Sequence, residues 1–489
     1  MAWRNFAEVV RSRGGRLLTV WGVDDRDRDS RYRVYAAYLE NEFIGVVEQE
    51  MDGHISPVYP SLAEIFPCAL RMERAMFDLL GIKSMEADHR GWLRHGGWPK
   101  EEFPLRRDFD AKTQYGIISE PYQFVQVEGE GVHEIPVGPV HAGTIEPGHF
   151  RFSVVGEKVL RLEERLGYKH KGIAKRFEEM LQQQGHTLAA RISGDSAVAY
   201  SWAYCAALEA ITQTTCPPRA AQLRALALEH ERITNHLGDL GALGNDAGFA
   251  IGLTHFSRLK EDLLRTNQEI FGARYLMDFI APGGVAAEIT QNATHALLGR
   301  YAALEQEVLS LRNIYDNHAG VQDRFREAGV LSNELAVTLD AVGLAARASG
   351  IARDLRVNLP WYPYDKLELK VVSQITGDVA ARVAVRFDEV FASIDICRTL
   401  LAPMPDGDVR TSVPDADPGR LGLGIIEGWR GPVLIALETG PHGSIYRCHA
   451  HDPSWQNWPL LEYAILGNIV PDFPLINKSF NLSYSGQDG

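Results

Sequence analysis

Arg191-Ile192-Ser193-Gly194-Asp195-Ser196 and Ser479-Phe480-Asn481-Leu482-Ser483-Tyr484-Ser485-Gly486 are the two strings on which the reading of this chain turns. Two more precede them in order: Gly138-Pro139-Val140-His141-Ala142-Gly143-Thr144-Ile145-Glu146-Pro147-Gly148-His149, then Gly167-Tyr168-Lys169-His170-Lys171-Gly172. The first of these is a Gly/Pro-rich turn between strand-like flanks that presents a carboxylate and two imidazoles. Alone, such a loop is an ordinary β-turn. Its weight comes from belonging to an ordered set that brackets a long helical region.

Outward from these strings, residues 135–159 are short and strand-like. From residue 160 onward 3.6-residue periodicity dominates, at 219–243 and 294–316 for example. Residues 403–424, with repeated Pro, Asp and Gly, predict a long loop, and 431–445 a late hairpin. Toward the N-terminus, β-branched and aromatic segments at 16–23, 32–39 and 43–48 predict a small antiparallel sheet. A helical segment between Ser61 and Leu80 follows, stopped by Gly81. The fold class is therefore multidomain. A small α+β domain over 1–110 and a linker over 111–133 precede a mainly α-helical domain over 134–489, which opens with a short β-sheet.

With 489 residues, 45% of them hydrophobic and 23% charged, the chain is long enough to bury sizeable cores and leaves little room for disorder. Its 64 acidic against 50 basic residues give −14, which disfavours a nucleic-acid backbone or anionic lipid as partner. Five widely spaced cysteines without a C-x-x-C pair exclude a disulfide framework and a zinc ribbon and favour a reducing compartment. No secretory signal is read at the start. No run reaches the ~20 apolar residues that cross a bilayer, so membrane association is expected only through partner subunits. No G-x-G-x-x-G follows a strand in a βαβ setting, so nicotinamide or flavin is expected on other subunits.

Together the four strings resemble the large subunits of group 4 nickel–iron hydrogenases of the formate hydrogenlyase type, and the related 49-kDa-type subunit of respiratory complex I. Arg347-Ala348-Ser349-Gly350-Ile351-Ala352-Arg353-Asp354-Leu355-Arg356 and Glu427-Gly428-Trp429-Arg430-Gly431 extend the resemblance. The N-terminal part, with Met72-Glu73-Arg74-Ala75-Met76-Phe77-Asp78-Leu79-Leu80-Gly81-Ile82 and Pro104-Leu105-Arg106-Arg107-Asp108-Phe109, looks like the 30-kDa-type subunit of complex I. The resemblance covers essentially the whole chain and implies a fused 30-kDa/49-kDa arrangement.

The departure from that family matters as much. Its hydrogenases hold nickel and iron on two C-x-x-C motifs, because soft thiolates suit low-potential metal chemistry. The matching positions here are Ser193, Ser196, Ser483 and Gly486, and the chain stops three residues after the last. A serine hydroxyl is a hard ligand that resists deprotonation, so no metal is expected on this chain. The loop histidine and the tyrosine that hold a quinone head group in complex I correspond to Pro147 and Gly194. His141, His149 and Tyr200 lie close enough in sequence to substitute in a quinone-like cavity.

The resemblance implies roles for further residues. Glu146 matches the glutamate that carries protons from the metal centre, and Arg430 the arginine that faces the cyanide ligands. Asp195 would add a second carboxylate, and Glu146, Asp195 and Arg430 are the candidate catalytic cluster. Tyr168, His170 and Lys171 match a segment near the terminal iron–sulfur cluster of the adjoining small subunit. The string from Glu229 to His236 is expected to be structural, a solvated or interhelical salt-bridge face.

Two functions follow from the resemblance. In the first, the chain is the large peripheral-arm subunit of a membrane-bound, complex I-like oxidoreductase on the cytoplasmic side of the inner membrane. It would pass electrons from a 4Fe–4S cluster in a small partner subunit to an acceptor other than protons, a quinone being a candidate, with proton translocation by membrane partners. In the second it is a scaffold joining the iron–sulfur subunit to antiporter-like membrane subunits. Hydrogen evolution ranks third.

Overall fold

The computed structural model describes every residue except Met1, Glu86, Ala87, Ile117, Ser119, Glu120, Ala142, Gly143, Thr144 and Pro403. Parts of the predicted linker, the Gly/Pro turn and the start of the loop at 403 thus lie outside the described residues.

Three N-terminal strands, Arg16–Asp25, Arg31–Glu40 and Phe43–Asp52, form an antiparallel sheet in sequence order, with Val20 opposite Ala36 and Ala36 opposite Val47. Each runs beyond the stretch read from β-branched residues alone. A helix not expected from the sequence, Ala2–Ser12, lies ahead of them and buries Trp3, Ala7 and Val10, one face at helical spacing. The helix Ala69–Leu80 packs on the first strand through Met72, Ala75 and Met76.

The first strand is buried along nearly its whole length because its other face is also covered. There it meets a second antiparallel sheet made near the C-terminus from Leu421–Glu427, Pro432–Thr439 and Ile445–His451. Leu18, Trp21, Val23 and Leu39 pack with Leu434, Ala436 and Tyr446 across the seam. Trp21 stacks on His449 at 5.3 Å, and Thr19 Oγ1 and His449 Nε2 are 2.8 Å apart. At roughly 1.5–3 kcal/mol for each large apolar side chain removed from water, this seam ties the two ends of the chain into one packed body.

The loop expected over 403–424 is shorter than that, since a strand begins at Leu421. Gly422 and Gly424 read as loop residues in the sequence, but the strand needs them for close approach. A Cβ on Gly424 would stand 1.9 Å from the carbonyl oxygen of Ala203 in the helix Ala197–Thr212.

The larger part opens with the sheet Val132–Val137, His149–Val155 and Lys158–Arg165 and continues in long helices, Pro218–Asp246, Ala250–Phe271, Gln291–Asn317 and Val379–Leu401 among them. Pro218 sits in the first turn of the central helix, where its missing N–H costs nothing. That helix is buried on all sides, so its charged string is structural and forms the interhelical salt-bridge face, one of the two alternatives expected. Glu229 receives Arg356 at 3.0 Å, Tyr364 at 2.6 Å and Ser393 at 2.6 Å. His236 lies 2.8 Å from Glu389, which also takes Arg347 at 2.7 Å, and Arg347 reaches Glu427 at 3.0 Å. Partners from other elements, invisible in the local sequence, make the string an interior ion-pair array.

Candidate functional site

Ser193, Asp195 and Ser196 occupy the turn that leads into the helix Ala197–Thr212, and Ser483 caps the last helix, Tyr484–Asp488, by accepting the N–H of Gly486 at 2.8 Å. The fold brings the two turns together, and the Oγ atoms of Ser193 and Ser483 are 2.8 Å apart. Ser193 Oγ donates to Asp195 Oδ1 at 2.7 Å, and Arg430 grips both oxygens of Asp195 at 2.8 and 2.5 Å. Burial pushes the Asp195 carboxyl up, but the charge of Arg430 and its hydrogen bonds, with that of Ser193, overcome this and hold it at about 2. Asp195 is therefore a carboxylate at neutral pH, with its side chain 34% exposed. Arg430 is steered in turn by Asn481, whose carbonyl takes its Nε at 2.5 Å and whose side chain donates to Asp239 at 2.7 Å.

At the fourth matched position the space is taken. A Cβ on Gly486 would lie 2.2 Å from Asp452 Oδ2 and 3.0 Å from Ser483 Oγ. Asp452 is fixed there by Tyr200, whose hydroxyl donates to Oδ2 at 2.6 Å, and by the N–H of Ser454, 2.8 Å from Oδ1. Two hydroxyls bonded to each other, a carboxylate neutralised by an arginine and a glycine backed by a carboxylate do not fit a thiolate-held nickel–iron pair. Among the described residues no group of three or more His, Cys, Asp or Glu side chains is placed to hold a metal ion. All five cysteines are free thiols, and burial pushes Cys68, Cys205, Cys216, Cys397 and Cys448 upward.

Glu146 reaches the same end of the molecule. It accepts the backbone N–H of Ser485 at 3.0 Å and, in a short contact, the Ser485 hydroxyl, and Lys169 Nζ is 3.9 Å away. Lys171 donates to the carbonyls of Ile192 at 2.6 Å and Arg191 at 3.2 Å, immediately before Ser193. His170 meets the carbonyl of Asp488 at 2.8 Å, and the ring of Tyr168 lies 4.2 Å from that of His95. The cluster named from the sequence is thus one neighbourhood for Asp195, Arg430 and the matched serines. Glu146 and Lys171 border it through Ser485 and Ile192.

The three residues suggested for a quinone-like cavity have other engagements. His141 Nε2 lies 2.8 Å from the carbonyl of Gly148 and His149 Nδ1 3.2 Å from that of Gly138, so each imidazole braces the turn that carries it. Burial pulls His149 downward, toward the neutral ring. Tyr200 is buried and committed to Asp452.

Sequence reasoning missed Asp452, Asn481, Asp488 and Glu231. Asp488 accepts the N–H groups of Gly167 and Lys169, each at 2.8 Å, and burial pushes it up to about 7. Glu231 receives the N–H groups of Val198 and Ala199 at the start of the helix behind Ser196, and burial pushes it up to about 8. Asp488 was findable as the carboxylate two residues past Gly486. Asp452 carries no local signal, because tertiary packing alone delivers it, and Glu231 lies within the string from Glu229 to His236 that was read as structural.

The chain has relatives among known proteins. The family model for the respiratory-chain NADH dehydrogenase 30 Kd subunit matches residues 1–115, and that for the 49 Kd subunit matches 246–421. Formate hydrogenlyase subunit 5 of Escherichia coli (strain K12) is 31% identical over 97% of this chain and 85% of its own length. The chain belongs to the group 4 hydrogenase large-subunit family, in its fused 30-kDa/49-kDa form. Within that family, hydrogenase-4 component G of Escherichia coli (strain K12) is 30% identical over 97% of this chain and 84% of its own length. In fold, the chain is similar to one from the membrane-bound sulfane sulfur reductase, an archaeal respiratory membrane complex, with a TM-score of 0.69 at 23% identity over 74% of this chain and 99% of that one. These relatives are subunits of membrane-bound, hydrogenase-related and complex I-like assemblies. Among the described residues no helix of this chain is long and apolar enough to cross a membrane.

Proposed function

We propose that this chain is the large peripheral-arm subunit of a membrane-bound, complex I-like oxidoreductase that has given up the nickel–iron centre. It takes electrons from an iron–sulfur cluster in a small partner subunit and passes them to an acceptor other than protons, with a quinone as the leading candidate. The observation that supports this reading is the packing of the matched positions: Ser193 and Ser483 bonded to each other, and Asp452 in the space a side chain at 486 would need. The surrounding carboxylates have been kept and wired rather than replaced by apolar packing. Buried or half-buried ion pairs are a poor route to stability, so their retention favours a working proton-handling site. Glu146 is the residue placed to supply protons at its edge.

The second reading, a non-catalytic scaffold between the iron–sulfur subunit and antiporter-like membrane subunits, draws on the same packing taken as a remnant. Purification of the complex with its natural partners decides between them. Elemental mass spectrometry is expected to find cluster iron without stoichiometric nickel, and reduction of the cluster is expected to be followed by electron transfer to a quinone or dye. Stoichiometric nickel removes the central claim, and clusters that stay reduced in the presence of every acceptor favour the scaffold.

A further inference from the structure

The seam between the N-terminal sheet and the C-terminal sheet borders a cavity of about 100 Å3 whose mostly apolar lining is interrupted by buried polar side chains. Met72, Ala75 and Met76 of the helix Ala69–Leu80 make one wall, and Ile173 and Ile192 another. Three buried side chains line it with polar atoms that have no hydrogen-bond partner among the described residues: Nε2 and Oε1 of Gln487, Nε and Nη1 of Arg447, and Nδ1 of His451. Gln487 is fully buried and Arg447 is 5% exposed. Buried polar groups are almost always satisfied, so three such residues on one cavity point to something that satisfies them.

The charges say what that something is. The carboxylate paired with Arg447, Glu178, is 3.8 Å away, and the same carboxylate stands closer to Arg107 at 3.2 Å and Lys175 at 3.1 Å. Glu438, the other acidic group acting on Arg447, is held by Arg28. Three cations therefore share one carboxylate. Burial, opposed by Glu178 and reinforced by Arg107, pulls the Arg447 guanidinium down to about 10, as expected of a buried cation without full compensation. Other ionisable groups on the cavity are engaged elsewhere. His449 is held against Thr19, His170 against the Asp488 carbonyl, and both carboxyl oxygens of Asp488 accept N–H groups of Gly167 and Lys169.

We propose that this cavity binds a small carboxylate-class monoanion, of the size of acetate or bicarbonate, held by Arg447 and Gln487 at the seam between the two domains. At about 100 Å3 the cavity has room for such an anion. Guanidinium N–H groups match a carboxylate by charge-assisted hydrogen bonds, and Gln487 Nε2 adds a neutral donor. His451 Nε2 donates to Gln456 Oε1 at 2.8 Å, because the Gln456 amide nitrogen is turned to the Leu18 carbonyl. His451 Nδ1 is therefore an acceptor, and it and Gln487 Oε1 suit a protonated oxygen such as that of bicarbonate or a co-bound water.

Acetate and bicarbonate titrated into the full chain at constant ionic strength, with chloride as the control salt, test this by calorimetry and thermal unfolding. Saturable heat and a rise in Tm specific to the carboxylates are expected. Gln487→Leu is expected to weaken binding by about 10-fold, the worth of one charge-assisted hydrogen bond, and Arg447→Met to abolish it. Ala75→Leu, which fills the cavity without touching either polar group, is expected to block binding while the chain stays folded. No saturable response, an equal response to chloride, or binding that survives both Arg447→Met and Ala75→Leu overturns the proposal.

Discussion

Ser193 and Ser483 stand 290 residues apart in the chain and share a hydrogen bond of 2.8 Å. Ser483 uses the same oxygen to cap the last helix, so one hydroxyl ties the central turn to the C-terminal one. Ser483→Ala removes both interactions and leaves Ser193 with one partner fewer in a buried place. A cap and a buried hydrogen bond together are worth about 1–3 kcal/mol. Thermal or urea unfolding of the variant is expected to show a loss of that order, and an unchanged midpoint would mean that the two turns are not coupled through this contact.

Asp195 gives stability a defined acid limb. Its folded-state value of about 2 lies below the ordinary 3.8, so the contribution of the Asp195–Arg430 pair is present above the ordinary value and is lost as pH falls through the folded one. Asp195→Asn should flatten that limb between roughly pH 4 and 2. Asp488 acts with the opposite sign. Burial raises it to about 7, so the folded state holds a proton that the unfolded chain has released, and stability declines as pH rises from roughly 4 to 7. Asp488→Asn is expected to remove this decline. Unfolding midpoints across pH for both variants, compared with the parent, check the two signs independently.

The interior array around the central helix makes a prediction about removal of a single partner. Glu389 takes Arg347 and His236 at once, at 2.7 and 2.8 Å, with Arg232 at 3.5 Å. Glu389→Gln removes the carboxylate shared by Arg347 and His236 and leaves Arg347 with Glu427, so the loss is expected to reach at most the ~3–5 kcal/mol of a broken buried pair. Glu389→Gln combined with Arg347→Met is expected to recover part of that loss. A double-mutant cycle on denaturant unfolding measures the coupling.

Installing the thiols of the hydrogenase motifs should fail for a steric reason. In a chain carrying Ser193→Cys, Ser196→Cys, Ser483→Cys and Gly486→Cys, the last side chain meets Asp452 Oδ2 at a Cβ distance of 2.2 Å. Overpacking of this kind costs about 1–3 kcal/mol or more. The quadruple variant is expected to be destabilised and to retain no stoichiometric nickel by elemental mass spectrometry until Asp452 is also made small.

How much of this was legible in the sequence depends on the range of the interaction. The three N-terminal strands and the long helices were readable because period-2 and 3.6-residue patterns are local. The ordered strings placed Ser193, Asp195, Ser483 and Arg430 in one cluster because the family resemblance supplies the tertiary step. Where the partner comes from elsewhere in the chain, local reading fell short. The string from Glu229 to His236 fits a solvated or an interhelical face equally until Arg347, Arg356 and Glu389 arrive from other elements and make it interhelical. Gly422 and Gly424 look like loop until the helix behind them explains the missing side chains. His141 and His149 could be read as cavity residues or as braces of their own turn, and each lies within hydrogen-bond distance of a carbonyl of that turn.

Glu146 separates a working site from a remnant. Its two oxygens accept from the N–H and hydroxyl of Ser485, with Lys169 3.9 Å away, so Glu146→Gln keeps the shape of the turn and most of its hydrogen bonding while removing the charge and the exchangeable proton. The expected result is a complex that assembles with its iron–sulfur partner and shows the parent's cluster spectrum but turns over roughly 100-fold more slowly or worse, the usual size of a lost acid–base group. Glu146→Asp, which keeps the proton on a shorter arm, should restore part of the rate. Parent-like turnover in both variants, with assembly intact, would show that protons do not pass this carboxylate and would leave the scaffold reading in possession of the site.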